Sequence, residues 1–531
     1  MSKYLIKRLL LGLLSVLAIV VIVMILIYTC MSREMVFAGD PNYSHKVSNE
    51  RIAYEYTKWK EYGYVDYITY ADYLLELRKN GEIDEETRVK AVAIAFKEKD
   101  ANGNDNDSEI VIKYKNKFRE YYESKGYTVQ RVDAKMQTST KPVLGGKQLL
   151  FAYRDIPITT RLWKYLTGLV SVDNIHYASG DVGERGLTFT LHDPVYGGEK
   201  FSPAIMGNGT KHKYLLYFDD KFPFIHQNLI TINLATSYNI NPGEDVFDTM
   251  TKTQGNKVLS MVTYPTGFQE ETAGDLHSAT YVEGSLAASK LNQERFLDDY
   301  TNLAKNLSGK SKMFYSFVIG IIAVALAYLL GIPLGILMAR RKDKIADKLG
   351  TIYIVFIMAV PSLAYIFMFK AIGAKAGLEK YVRFNTDTFS PLYYILPIVS
   401  LALPSVANLM KWIRRYMIDQ QNSDYVKFAR SGGLSEKEIF SKHILKNAII
   451  PIVHGIPASV LGALTGAIIT ERVYYVPGVG NVLTEAISRY DNSVIVGITL
   501  FYSVLSVLSL ILGDILMAMV DPRISFSEKA R

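Results

Sequence analysis

The chain has 531 residues, 49% of them hydrophobic, and a formal net charge of +8. Its single cysteine excludes a disulfide framework, so any soluble part must hold together through its own core. The lysines and arginines gather beside long apolar runs and not on one soluble face, which excludes a nucleic-acid surface as the origin of the positive charge.

A bilayer core of roughly 30 Å takes about 20 apolar helical residues. Leu9 to Cys30 is such a run, without one charge. It is too long for a signal-peptide core, and Tyr28 and Thr29 stand where a processing enzyme, including one acting before Cys30, would want small residues, so a retained first span is expected.

From residue 35 to 305 the chain turns charged and tyrosine-rich, with no apolar run long enough to span, and reads as an inserted α+β domain. Helical spacing appears at Tyr70 to Arg78, Glu109 to Lys125 and Ser285 to Leu307, the last expected to feed into the second span. Leu187 to Leu191, Tyr214 to Phe218 and Leu229 to Leu234 read as strands. Asp100 to Glu109 alternates oxygen ligands like a calcium loop. Asp105 and Val111 stand where an EF-hand needs glycine and glutamate, so a solvated turn is expected and no metal site is assigned. No spacing in the insert suggests a catalytic constellation.

Five further apolar blocks follow: Met313 to Ala339, Leu349 to Gly373, Pro391 to Ile413, Ala448 to Thr470 and Ser493 to Val520. Six spans return the chain to its starting side. Lys3, Lys7 and Arg8, the Arg340 to Lys348 turn, and Lys411, Arg414 and Arg415 all fall on one side of that arrangement, which the positive-inside rule makes the cytoplasm. Both termini are then expected inside and the insert outside.

Between the fourth and fifth spans, about residues 422–446, lies a short basic helix, a glycine break and a second helix. Ser423 and Asp424 are candidate caps of the first helix, and Ser435 with Glu438 forms a capping box for the second. Gly432 and Gly433 permit a sharp turn. Tyr425, Phe428, Leu434, Ile439, Phe440 and Ile444 are expected to form an adhesive face. The rival reading, an amphipathic helix lying on lipid, accommodates the glycine break poorly.

The order Tyr425-Val426, Ala429-Arg430, Gly433-Leu434 and His443-x-Leu445-x-Asn447 resembles the coupling loop of binding-protein-dependent ABC importer permeases, in particular the oligopeptide and dipeptide branch. Lys427-Phe428-Ala429 replaces the Glu-Ala-Ala start of the broader pattern, and Pro451 supplies the later proline of that branch. Gly39-Asp40-Pro41, Ile395 to Pro404, Arg414-Arg415, Glu471 to Gly480, Asp491 and Asp521-Pro522-Arg523 extend the similarity.

The resemblance implies an α-helical polytopic protein with the six-helix type I importer permease fold, divided at residues 1–34, 35–305 and 306–531. It implies an ATPase-coupling loop in which Tyr425, Ala429, Arg430, Gly432, Gly433, Leu434, Glu438, Phe440, His443 and Asn447 take part. Glu471, Pro477, Gly478, Gly480 and Asp514 become candidates for the pathway or its gate, Asp514 as the deepest ionisable group. The expected function is a permease subunit of an oligopeptide importer, not an enzyme, with no cofactor of its own. No phosphate-binding loop occurs, so ATP and Mg belong to two partner subunits. A second homologous permease, an extracellular peptide-binding lipoprotein, the peptide and membrane lipid complete the expected partners. The alternative is a membrane receptor whose outer domain senses a ligand and signals to a cytoplasmic partner.

Overall fold

The computed structural model describes residues 2–135, 146–180, 182–218, 224–282, 290–379, 381 and 391–520. Helix α1 (Ser2–Cys30) carries the first apolar run. Val16, Val20, Met24 and Ile27 recur at three- and four-residue intervals and are buried, whereas Leu10, Leu13, Leu14 and Leu17 are exposed. A helix that is apolar all round but buried along one stripe presents its other faces to lipid.

The second span is α2 (Lys312–Arg340), started by Ser311, whose hydroxyl accepts from the Phe314 N–H at 3.1 Å. The expected third span is not straight. It divides into α3 (Ile345–Ala359) and α4 (Ser362–Lys375), bent by 113°. Pro361 is the cause: it lacks a donor and forces its predecessor out of the helical region, and Val360 sits extended at ψ 130°. Helix α5 (Leu392–Gln421) outlasts the apolar block and carries Arg414 and Arg415 within it. Gly331 and Gly335 of α2 face α5 so closely that a Cβ would lie 2.8 Å from the Leu409 Cβ and 2.9 Å from the Ile413 Cβ. Small residues four apart let two spans meet backbone to backbone.

Helix α6 (Asp424–Ser431) opens the loop that follows. The expected fifth span is again interrupted, into α7 (Lys446–His454) and α8 (Ile456–Tyr474), with Gly455 at the break and Pro457 in the first turn of α8, where its missing N–H costs nothing. A short α9 (Val479–Ser488) leads to the last span, α10 (Asn492–Val520), which packs along α1. Among the described residues, five helices are long and apolar enough to cross a bilayer, or six when α3 and α4 count as one span.

The insert has a three-stranded antiparallel sheet with Leu149–Asp155 between Val65–Thr69 and Thr128–Val132. Trp59, Tyr56, Tyr67 and Phe151 pack on one side, and Leu74, Phe118 and Ala152 on the other. A four-stranded antiparallel sheet follows, in the order Gly186–Thr190, Ala204–Asn208, Tyr214–Phe218, Ile225–Gln227. The strands expected at 187–191 and 214–218 are therefore present, and Ile230–Ile232 pairs with Val170–Val172. The helix expected over 285–307 is not: its first residues lie outside the described set, the helix covers Lys290–Phe296, and Thr301–Lys305 is a strand paired with Gly274–Tyr281. The Asp298 carboxylate accepts from the backbone of Tyr300 and Thr301, a local turn that ends the helix and frees the strand. A strand, and not a helix, thus leads into the second span.

In the acidic turn, Asp100 accepts from the backbone N–H groups of Asn102 and Asn104 at 2.8 Å each. Asp105 and Asp107 hold the Lys115 ammonium at 2.6 and 2.8 Å. These carboxylates are committed to the protein itself.

The insert is fastened to the membrane part at Asp491, which is fully buried just before α10. One carboxylate oxygen accepts from the Ser237 hydroxyl at 2.7 Å and from the backbone N–H groups of Tyr238, Asn239 and Ile240 at 3.0, 2.8 and 3.1 Å. Successive N–H groups converging in this way form an anion nest.

Candidate functional site

The loop after α5 is built on a helix stop. Gly433 adopts φ +84°, its N–H donates to the Arg430 carbonyl at 3.1 Å, and the Leu434 N–H donates to the Ala429 carbonyl at 3.3 Å. That pair of bonds is a Schellman motif, in which the left-handed position favours glycine. Gly432, at φ −74°, needs no such freedom. Across the turn the Arg430 guanidinium grips the Glu436 carboxylate with two bonds, 2.6 and 3.2 Å.

The expected capping box is present, with Ser435 and Glu438 exchanging bonds at 3.3 Å. The expected side-chain cap on α6 is absent. The Ser423 hydroxyl instead donates back to the Gln420 carbonyl at 2.6 Å, and Asp424 pairs with Lys427 at 2.9 Å. After Glu438 the chain forms a π-helical turn, Ile439–Leu445, before α7.

The proposed adhesive face divides in two. Ile439 and Ile444 are buried, together with Val426, in the core formed by α2, α3, α5 and α7. Phe440 is half-buried beneath the Arg340 guanidinium, 5.1 Å from its ring centre. Outward are Phe428, 81% exposed, with Leu434 and Tyr425 also exposed. Ala429 and His443 are half-buried. The Tyr425 hydroxyl receives the Asn447 amide at 3.0 Å and lies 2.5 Å from the Gln420 Oε1 and 3.4 Å from the His443 carbonyl. One phenol therefore ties α5, α6, the π-turn and α7 together. Gln420 was missed from sequence, because it lies outside the pattern that singled out the loop; Val426 belongs to that pattern, but its burial in the membrane core was not anticipated.

At the root of this unit Arg414 of α5 makes two bonds to Asp347 of α3, at 2.5 and 2.8 Å. The result is an apolar tip on a pinned knuckle whose base is part of the membrane core.

The gate candidates occupy a different place. Glu471 is fully buried. Its carboxylate accepts from the Ser316 hydroxyl at 2.6 Å and from the Asn481 N–H at 3.1 Å, while the Ser316 oxygen accepts from the Val479 N–H at 2.9 Å. It thus caps the N-terminus of α9, where the helix dipole favours negative charge. A Cβ at Gly478 would overlap that carboxylate, and one at Gly480 would lie 2.6 Å from the Ile468 Cα. Pro477 separates Val476 from this turn. Tyr475, in the left-handed region at φ 56°, ends α8.

Asp514 is buried, but it lies near the end of α10 and not at the middle of the span. It accepts from the Tyr4 hydroxyl at 2.9 Å and pairs with Arg8 at 3.3 Å and His454 at 3.4 Å, level with the beginning of α1. Antiparallel packing of α10 on α1 brings residue 514 to that end. Asp521-Pro522-Arg523 lies outside the described residues.

The sequence profile of the binding-protein-dependent transport system inner membrane component matches residues 331–526. The oligopeptide transport system permease protein AmiC of Streptococcus pneumoniae is 34% identical, in an alignment covering 100% of this chain and 99% of AmiC. The chain belongs to this permease family. The dipeptide transport system permease protein DppB of Bacillus subtilis is 30% identical over 40% of this chain and 68% of DppB. The AmiC match alone of these two runs through the insert. A solved amino acid ABC transporter structure superposes on 40% of this chain and 92% of its own, at 18% identity and a TM-score of 0.31. The permease is thus a multi-pass membrane protein of the ABC importer class, a transport subunit and not an enzyme.

Proposed function

We propose that this permease forms half of the translocation pathway of an ATP-driven oligopeptide importer and couples it to separate cytoplasmic ATPases. Both relatives are peptide transport permeases, which favours this reading over a ligand-sensing receptor. The observation that carries the coupling is the exposed Phe428 on a knuckle rooted by Val426, Ile439 and Ile444. An exposed aromatic tip on a rigid base suits a groove on a partner protein.

In this reading two ATP-binding subunits hold ATP and Mg, a homologous permease supplies the other half of the pathway, and an extracellular lipoprotein delivers the peptide. In the same reading both termini and the knuckle are cytoplasmic, which the basic clusters beside the spans support. The insert lies outside, where its size and its fastening at Asp491 suit a docking surface or vestibule at the entrance.

The test is Phe428→Asp in the assembled transporter, with co-purification of ATP-binding subunits and peptide-stimulated ATP hydrolysis as readouts. Loss of both is expected. Unchanged association and turnover would reject the coupling role. Removal of residues 45–300 with retained membrane insertion and unaltered uptake would reject the role of the insert.

A further inference from the structure

A cavity of about 320 Å³ lies where the insert meets the ends of α1 and α10 on the insert side of the membrane. Its apolar floor is Met24 of α1 and Val496 of α10. Its polar wall comes from the insert helix Ile158–Gly168, through Arg161, Lys164 and Tyr165.

Two donors on that wall are unspent among the described residues. The Arg161 guanidinium is held in place by stacking, 4.9 Å from the Tyr28 ring centre and 4.3 Å from that of Tyr64, and by one bond to the Tyr64 carbonyl at 3.0 Å. Its Nε is buried without a hydrogen-bond partner, and so is the Tyr165 hydroxyl. Buried donors left without acceptors are uncommon in folded proteins, and both of these belong to residues that line this one cavity, so a small side-chain shift would offer them to an acceptor held there. Glu61 also lines the cavity, but its carboxylate pairs with Lys58 at 2.7 Å, which leaves the local balance positive.

The height of the cavity says which acceptor is at hand. Leu162, Tyr165 and Leu166 pack with the buried stripe of α1 near its last turns, while Trp163 is 69% exposed on the same helix. A short helix with a bare tryptophan and basic residues, lying where a span ends, sits at the level of lipid head groups.

We propose that this cavity binds the phosphate of an anionic phospholipid from the leaflet on the insert side. Arg161 Nε, the Tyr165 hydroxyl and Lys164 donate to the phosphate oxygens, as guanidinium and ammonium groups do to phosphate elsewhere. Met24 and Val496 continue the site as an apolar surface along which an acyl chain runs into the bilayer.

The experiment uses the full permease in its transporter complex, delipidated in detergent, and counts bound phosphatidylglycerol and phosphatidylcholine by native mass spectrometry. A preference of about fivefold or more for phosphatidylglycerol is expected, cut at least about threefold by Tyr165→Phe and by Lys164→Gln, the size of a lost charge-assisted bond. Tyr165→Phe keeps the ring and its packing, so it reads the hydroxyl apart from folding; Arg161→Gln removes a stacked group and is the harsher second variant. Equal retention of the two lipids, or a preference that all three variants leave intact, overturns the proposal. Thermal stabilisation by millimolar inorganic phosphate without any lipid preference also overturns it, by assigning the anion to solution.

Discussion

The Ser237 hydroxyl donates to the Asp491 carboxylate at 2.7 Å across 254 residues of chain. With three consecutive backbone N–H groups on the same oxygen, this contact holds the insert against the start of α10. Asp491→Ala strands four buried donors, and we expect a loss on the order of 3 kcal/mol in the insert's attachment. Limited proteolysis should then cut the insert faster while the spans stay intact; Asp491→Asn, which keeps an acceptor, should fall between.

Gly433 stands at φ +84° with nothing within 4 Å of an added Cβ, so a side chain there meets backbone strain and no collision. Gly433→Val is expected to cost about 1–2 kcal/mol locally and to uncouple ATP hydrolysis from uptake, whereas Gly433→Asn, which tolerates the left-handed region, retains coupling. Transport and ATPase assays on the reconstituted complex separate the two.

The Tyr425 phenol and the Asn447 amide should behave as a coupled pair. Tyr425→Phe and Asn447→Ala are each expected to lower stability by roughly 1 kcal/mol, and the double variant by less than their sum. Thermal unfolding of the four proteins of that cycle measures the difference.

At the start of α9 the collision is direct. Gly478→Ala drives a methyl group into the Glu471 carboxylate and should destabilise the fold by about 2–3 kcal/mol. Gly462→Ala, where an added Cβ meets nothing within 4 Å, is the matched control and should be close to neutral. Melting temperatures of the purified permease decide this.

His212 supplies a pH prediction within the insert. Burial lowers its pKa below the ordinary 6.5, partly opposed by Asp173. The folded state therefore prefers the neutral ring, so its stabilising effect is complete above pH 6.5 and declines as the pH falls through the lowered folded value. Between pH 7 and 5 the wild-type insert should lose more stability than His212→Gln, as denaturant midpoints at each pH would show.

The spans were legible because an apolar run of membrane length has few alternatives in water. Their shape was not: hydropathy records composition and is blind to direction, so Pro361 was in plain view while the 113° bend it causes was not. The capping box was read correctly because Ser435 and Glu438 act over three residues. The adhesive face was read correctly for Tyr425, Phe428 and Leu434, which are exposed, but not for Ile439 and Ile444, which the π-turn Ile439–Leu445 carries into the core. At 290–307 strand pairing with Gly274–Tyr281 overrode a helical pattern. Glu471 was singled out, but its job as a helix cap depends on Ser316, far away in the chain. Nothing local to Asp491 announces the nest that receives it.

At Gly331 and Gly335 helix α2 contributes no side chain, and Leu409 and Ile413 of α5 pack directly against its backbone. Packing this close leaves little room for one helix to slide along the other. Under the proposed coupling, a push on the Phe428 knuckle, whose base shares a core with α2 and α5, would therefore be expected to move both helices together.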